Sequence, residues 1–353
     1  MKIKSFIYFI VLFSCFNTAQ AATYRDNLIK NELNCFDQNR NNKLTWSDVC
    51  SMPDPTPAAD MAKVDTSVDQ NPGTSLFNSR VNTFSLAGLF YYYHYDERDK
   101  IKKFTGEWNG GEGKYIFRPQ PGNLLYNPII NFFSFEGSYA SGKNNKTGNT
   151  TKTDGSTVKV IEKNVPGNMF NLRTLLGRDF LPLTNLRLTP YLGFGIRYKA
   201  DQSGGYYQLL NDGTPVIGYD RSEIYYYIPI GLTSDLLIND INEISLNLEY
   251  DYLVKGTEND HFSDANQYTD VPAFGNVTSN NGSFSQNRGF GLRSSIKYLR
   301  HFSLVDTFIE PYIEYWNINA SKSATVYETG QNTTTNAHKN NTVELGCKFG
   351  IEF

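Results

Sequence analysis

Thr342-Val343-Glu344-Leu345-Gly346-Cys347-Lys348-Phe349-Gly350-Ile351-Glu352-Phe353 decides the fold. Val343, Leu345, Cys347, Phe349, Ile351 and Phe353 fall on one side of an extended chain, and Glu344, Gly346, Lys348, Gly350 and Glu352 on the other. Successive side chains of a strand point to opposite faces, so this strict period of two predicts one apolar face and one charged or small face. The alternation recurs upstream. Leu186, Leu188, Leu192, Phe194, Ile196 and Tyr198 oppose Arg187, Thr189, Tyr191, Arg197 and Lys199. Ile244, Leu246, Leu248, Tyr250, Tyr252 and Val254 oppose Asn247, Glu249, Asp251 and Lys255. Phe290, Leu292, Ile296 and Tyr298 oppose Arg293 and Lys297, and Ile309, Ile313 and Tyr315 oppose Glu310, Tyr312 and Glu314.

This reading predicts strands at 82–95, 103–116, 129–142, 169–180, 186–200, 220–236, 242–255, 287–300, 307–320 and 342–353, about ten in all. The connections alternate in length. Those at 119–128, 181–185, 239–241 and 301–306 are the shorter set. Those at 96–102, 143–168, 201–219, 256–286 and 321–341 are mostly long and rich in Asn, Thr, Gly and Ser.

The first residues address the chain to the envelope. Lys2 and Lys4 precede an apolar run from Ser5 to Phe16, and Ala19-Gln20-Ala21 offers a small-x-small cleavage site before Ala22. The run is too short to span a bilayer, so residues 1–21 read as a secretory signal peptide. A lipoprotein reading at Leu12-Phe13-Ser14-Cys15 is the weaker one, because Phe13 is bulky for a lipobox. No later stretch is long and apolar enough for a membrane helix, so membrane residence requires a closed barrel, in which every backbone group is paired. The chain holds 24 Tyr and 24 Phe at a mean hydropathy of −0.46. That mixture suits a lipid-facing band with aromatic girdles and wet loops. A net charge of −3 gives no electrostatic case for nucleic acid.

The apolar alternation, the signal sequence and the terminal Phe353 together resemble bacterial outer-membrane β-barrel proteins, of an OmpA-like or porin-like small-barrel kind. The resemblance implies an all-β fold, an antiparallel transmembrane β-barrel of about ten strands over residues 81–353, in contact with outer-membrane lipid. It also implies that the last strand serves as a signal to the barrel-assembly machinery, that both chain ends lie in the periplasm, and that the long loops lie outside.

Ahead of the barrel, residues 22–50 contain a short helical spacing (Tyr24, Leu28, Ile29, Leu33, Phe36) and then Asp37-Gln38-Asn39-Arg40-Asn41-Asn42-Lys43-Leu44-Thr45-Trp46-Ser47-Asp48. This resembles an EF-hand calcium loop. Asp37, Asn39 and Asn41 take positions one, three and five, the Lys43 carbonyl position seven, Thr45 position nine through water, and Asp48 position twelve. The departures are Asn42 where the family prefers Gly, Asp48 where it prefers Glu, and the lack of a second loop. With only two anionic side chains, the expected affinity for Ca²⁺ is weak, on the order of 10⁻⁴ to 10⁻³ M. The alternative is a metal-free, Asx-rich turn closed by a Cys35–Cys50 disulfide, which an oxidising periplasm permits. Cys347 lies on an apolar strand face and reads as a small hydrophobe. Residues 51–80, with Pro53, Pro55, Pro57 and Pro72, read as a linker.

In a membrane barrel the apolar face turns to lipid and the charged face to the lumen. The inward charges then include Arg173, Arg187, Arg197, Arg221, Arg293 and Lys297, beside Glu223, Glu249, Asp251, Glu310, Glu314 and Glu344. A narrow lumen filled with both signs predicts paired charges rather than an open pore. The leading functional reading is therefore a non-enzymatic envelope barrel whose outer loops meet a ligand that the sequence does not identify. A narrow small-solute channel is the alternative. An omptin-like outer-membrane protease is the third, with Asp260-His261, Asp96 and Asp99 beyond strand tops. Such a site needs a His oriented by a carboxylate and a further acidic pair to hold water. The spacing around His94, His261, His301 and His338 does not reproduce that pattern.

Overall fold

The computed structural model describes residues 77, 80–97, 102–121, 123–152, 155–211, 213–268, 279–328 and 331–353. The calcium-loop residues Asp37, Asn39, Asn41, Lys43, Thr45 and Asp48, with Cys35, Cys50 and the signal sequence, lie outside them, as does Asp99.

Sixteen strands follow in chain order: β1 (Asn82–Glu97), β2 (Lys102–Phe117), β3 (Phe132–Thr151), β4 (Thr157–Gly177), β5 (Phe180–Leu183), β6 (Leu186–Asp201), β7 (Tyr207–Leu209), β8 (Pro215–Ile217), β9 (Arg221–Asn239), β10 (Asn242–Asp260), β11 (Gly282–Gln286), β12 (Gly289–Arg300), β13 (Asp306–Ile318), β14 (Ala324–Glu328), β15 (Gln331–Thr335) and β16 (Asn340–Glu352). A 3₁₀ helix covers Phe262–Tyr268. Ten long strands pair antiparallel in the order β1, β2, β3, β4, β6, β9, β10, β12, β13, β16, and β16 returns to β1 through pairs from Ser85–Glu352 to Glu97–Asn340. The all-β fold expected from the alternation is therefore a closed ten-stranded barrel. Closure leaves no unpaired edge along its wall.

Why these residues make these strands follows from their two faces. Ile244, Leu246, Leu248, Tyr250, Tyr252 and Val254 are exposed on the outside, whereas Glu243, Ser245, Glu249 and Asp251 are buried. A water-soluble sheet would show the reverse. The outward run from Ile244 to Val254 matches the length of about 9–11 residues that a tilted strand needs to cross a bilayer. One expected direction changes. Lys255 belongs by simple alternation to the lumen, but a register shift between Leu253 and Lys255 turns it outward, where it is exposed. A bulge adds one residue on one strand, so every side chain beyond it changes face. Gly256, Glu258 and Asp260 thereby point inward and are buried.

Several strands outrun their expected ends. The stretch 143–168, read as a loop for its Lys, Asn and Thr content, is largely a β3–β4 hairpin paired as far as Thr151–Thr157. Past the apolar band, polar outward side chains are suitable while the backbone goes on pairing. Asn164, at φ 59°, sits where this hairpin changes register. Asn tolerates the left-handed backbone better than other side chains. At the loop end, β11 adds to the upper part of β10, and β14–β15 and β7–β8 form small separate hairpins.

The aromatic residues are divided between outside and inside. Phe90, Tyr92, Tyr139, Phe194 and Tyr252 are exposed on the outer face. Tyr91, Tyr93, Tyr95, Trp108, Tyr225, Tyr227 and Trp316 are buried in the lumen. Rings inside need bare backbone on a neighbouring strand. A Cβ on Gly195 or Gly231 would strike the ring of Tyr227 or Tyr191, and one on Gly167 would strike Trp108.

Candidate functional site

The lumen is the one place where the strands bring chemistry-bearing side chains together in number. Three levels of ion pairs cross it, and each joins strands that lie far apart around the wall.

At the loop end, Arg221 of β9 reaches across to Glu97 of β1 (Nη1–Oε1 2.9 Å) and also meets Glu258 (2.6 Å) and Glu223 (3.0 Å). It donates to the Tyr95 hydroxyl oxygen at 2.6 Å. Lys199 pairs with Asp201 and lies over the rings of Tyr93, Tyr95 and Phe104. Asp201 accepts from Asn144, whose own oxygen accepts from the Trp108 indole at 3.0 Å. Lys102 donates to Tyr219 at 2.7 Å. Tyr219 lies between β8 and β9, and burial holds its hydroxyl above the usual range although nearby Lys102 opposes the shift.

Midway, Arg197 of β6 bridges Glu314 of β13 and Glu344 of β16 on the far wall. Glu314 also accepts from Trp316 (2.6 Å) and Arg293 (2.9 Å). Arg293 in turn donates to Asp251 (2.7 Å) and to the Tyr227 hydroxyl oxygen (3.1 Å). Just below, Arg173 donates to Glu136 (2.5 Å) and Glu249 (2.6 Å), and Tyr191 donates to Glu249 at 2.7 Å. Charges this deep are tolerable only because each is paired and further hydrogen-bonded.

At the turn end the lumen widens into a cavity of about 590 Å³. Its charged lining is paired along the wall: Lys348–Glu112 at 2.9 Å, Lys297–Glu352 at 2.9 Å and Arg187–Asp235 at 2.7 Å. The chain enters at this end. Phe77 is buried with the Arg187 guanidinium over its ring, and Arg80 pairs with Asp306 at 3.2 Å. His301, in the turn after β12, faces Asp306 (Nδ1–Oδ2 3.0 Å) and Glu243 (Nε2–Oε2 3.8 Å). Its bond to Glu243, with help from Asp306, raises its pKa above the ordinary 6.5.

Lys255 apart, the charges expected inside are inside: Arg173, Arg187, Arg197, Arg221, Arg293, Lys297, Glu223, Glu249, Asp251, Glu310, Glu314 and Glu344. The rings that fill the loop-end half were not expected there. A sequence signal existed in Tyr91, Tyr93 and Tyr95, which alternate at the period of the inward face. Among the described residues named for it, Asp96, Asp260 and His261, the acid–His arrangement of a rim protease is not brought together. Asp260 points into the lumen beside Arg221, whereas His261, the next residue, is exposed beyond the strand end. Neighbours on a strand face opposite ways. His94 and Asp96 lie on the outward face of β1. The one described His held between two carboxylates, His301, is at the opposite end of the barrel. Among the described residues no group of His, Cys, Asp and Glu side chains is arranged to hold a metal ion.

The fold has relatives of known structure. The outer-membrane protease OmpT from Escherichia coli superposes with a TM-score of 0.54 at 13% identity, over 77% of this chain and 95% of that one. The translocator domain of the autotransporter NalP from Neisseria meningitidis gives 0.34 at 7% identity, over 78% and 89%. A Pseudomonas aeruginosa FadL homologue gives 0.23 at 8% identity, over 78% and 92%. No family model matches the chain, and no curated protein matches it. At 13% identity the likeness to OmpT is one of fold: an outer-membrane β-barrel.

Proposed function

We propose that the protein is a sealed, non-enzymatic outer-membrane barrel that presents its loop end at the cell surface and its turn end to the periplasm. The observation that carries this reading is the set of cross-lumen ties: Arg221–Glu97, Arg197–Glu344 and Arg173–Glu249. Solute transfer would require opening buried ion pairs, which leaves charges uncompensated in a low-dielectric lumen. The separation of Asp260 from His261 supports the absence of hydrolytic activity. In this reading the hairpins β3–β4 and β7–β8 at the loop end are the working surface, and the wall serves to hold them there. Cleavage of a fluorogenic peptide library on intact cells tests the non-enzymatic part. No cleavage above that of cells lacking the protein is expected. Cleavage lost on His261→Ala would contradict it.

The proposal includes Ca²⁺ bound in the periplasmic segment by Asp37, Asn39, Asn41, the Lys43 carbonyl, Thr45 and Asp48. The supporting observation is the donor set, all hard oxygen ligands at the spacing a calcium loop needs. Calorimetric titration of the mature protein with millimolar Ca²⁺ should release heat that Asp37→Ala removes. Heat that Asp37→Ala leaves unchanged would reduce the loop to a turn.

A further inference from the structure

The turn end carries large, exposed apolar side chains. In the connection 118–131, Leu124 is 98% exposed, Ile129 71% and Leu125 67%. On the same rim, Leu304, between β12 and β13, is 86% exposed. Apolar groups gathered in this way mark a surface that meets something other than water.

Three observations say what that is. First, four backbone N–H groups of the connection are bonded within it. Asn123 N donates to Gln120 O at 3.0 Å and Tyr126 N to Asn123 O at 3.0 Å, while Leu125 N and Ile129 N donate to the side-chain oxygens of Asn123 and Asn127 at 2.9 and 2.8 Å. Backbone groups bonded locally beside apolar side chains turned outward suit a medium poor in hydrogen-bonding partners. Second, guanidinium groups lie over rings at this rim: Arg178 over Phe180 at 4.9 Å and Arg300 over Phe302 at 5.4 Å. A ring beneath a cationic head matches the boundary between acyl chains and phosphates, where long basic side chains extend toward water. Third, the rim continues the lipid-facing wall. Leu236 and Ile238 are exposed on the outside of β9, and Ile241 follows them in the turn.

We propose that the turn end is inserted in the phospholipid leaflet, with Leu124, Leu125 and Ile129 among the acyl chains and Arg178 and Arg300 on the phosphates. This rests on the outer-membrane placement proposed above. The connection 118–131 is then an interfacial anchor that fixes the depth of the barrel and hinders it from riding outward.

Site-specific quenching tests this in the full mature chain, with Cys35, Cys50 and Cys347 each changed to Ser and an environment-sensitive fluorophore on one introduced thiol. Leu124→Cys and Leu304→Cys probe the rim, Asp240→Cys is the aqueous reference, and Leu246→Cys is the mid-wall reference. In phosphatidylcholine vesicles, the Leu124 and Leu304 labels should lose emission to lipids brominated near the headgroup and resist aqueous iodide. The Asp240 label should do the opposite. Iodide quenching at Leu124 equal to that at Asp240 would overturn the proposal, because the turn would then lie in water. Protection from both quenchers would overturn it too, showing a second copy of the chain over the rim. A Leu246 label unquenched by lipids brominated deep in the chain would show that the barrel itself is not inserted, and this inference would fall with that placement.

Discussion

The two halves of the lumen are built on the same strands with the same alternation, yet one is filled and the other is hollow. Toward the loop end, inward positions carry rings: Tyr93 stands 5.4 Å from Trp108, Tyr95 5.3 Å from Phe104 and Tyr227 5.2 Å from Trp316, centre to centre. Glycine lies beside several of them, as Gly167 does beside Trp108 and Gly195 beside Tyr227. Toward the turn end, Ser85, Thr233, Ser245 and Ser295 stand among long charged arms and the rings of Phe132, Tyr191 and Phe308, and a cavity of about 590 Å³ remains. Alternation decides only which way a side chain points. The order of large and small residues around the wall decides whether the lumen is plugged. The same ion pair should therefore carry different weight in the two halves, being dry in one and beside water in the other.

Arg197→Ala is expected to have the largest effect, because it leaves the buried Glu344 carboxylate without its cation, while Glu314 keeps Arg293 and Trp316. A loss of about 3–5 kcal/mol is expected in urea unfolding of detergent-solubilised protein. Trp108→Phe keeps most of the ring but deprives Asn144 of its donor, and should cost about 1–3 kcal/mol in the same measurement. Arg187→Ala removes the partner of Asp235, which lines the cavity, and should cost less than Arg197→Ala in the same measurement. Equal losses for Arg197→Ala and Arg187→Ala would erase the distinction between the halves.

The smallest effect concerns His301 at the turn end. Its folded pKa lies above the ordinary 6.5 because Glu243 and Asp306 face it. A group raised on folding contributes fully below its unfolded value and loses that contribution as pH rises through its folded value. Stability should therefore decline as pH rises from about 6.5 through the folded pKa of His301. His301→Gln should flatten that decline and leave the loss caused by Arg197→Ala unchanged.

How much of this was legible in the sequence depends on what kind of order each part has. The wall was legible because a strand repeats every two residues, and runs such as Leu186 to Lys199 state the inside and the outside at once. The inward charges followed for the same reason. Lys255 was misplaced because a bulge leaves no mark in the alternation itself; only the paired strand reveals the extra residue. The long β3–β4 hairpin was hidden because Lys143 to Asn149 has the composition of a loop, and its pairing is visible only opposite residues 159–166. Which charges meet was not legible at all. Arg197 and Glu344 lie 147 positions apart, and only closure of the barrel brings them together. The rings behind the seal were hidden by composition, since Tyr and Trp suit a membrane girdle as well as a lumen.

The central claim is the seal, and single-channel recording in planar bilayers tests it most directly. Purified protein inserted at low density should give no stepwise current in symmetric salt. The recording must also show that barrels are present, which heat-modifiable migration of the recovered sample establishes. Stable, reproducible openings from folded wild-type protein would contradict the account, because a continuous aqueous path cannot coexist with closed Arg221–Glu97, Arg197–Glu344 and Arg173–Glu249 ties across a narrow lumen.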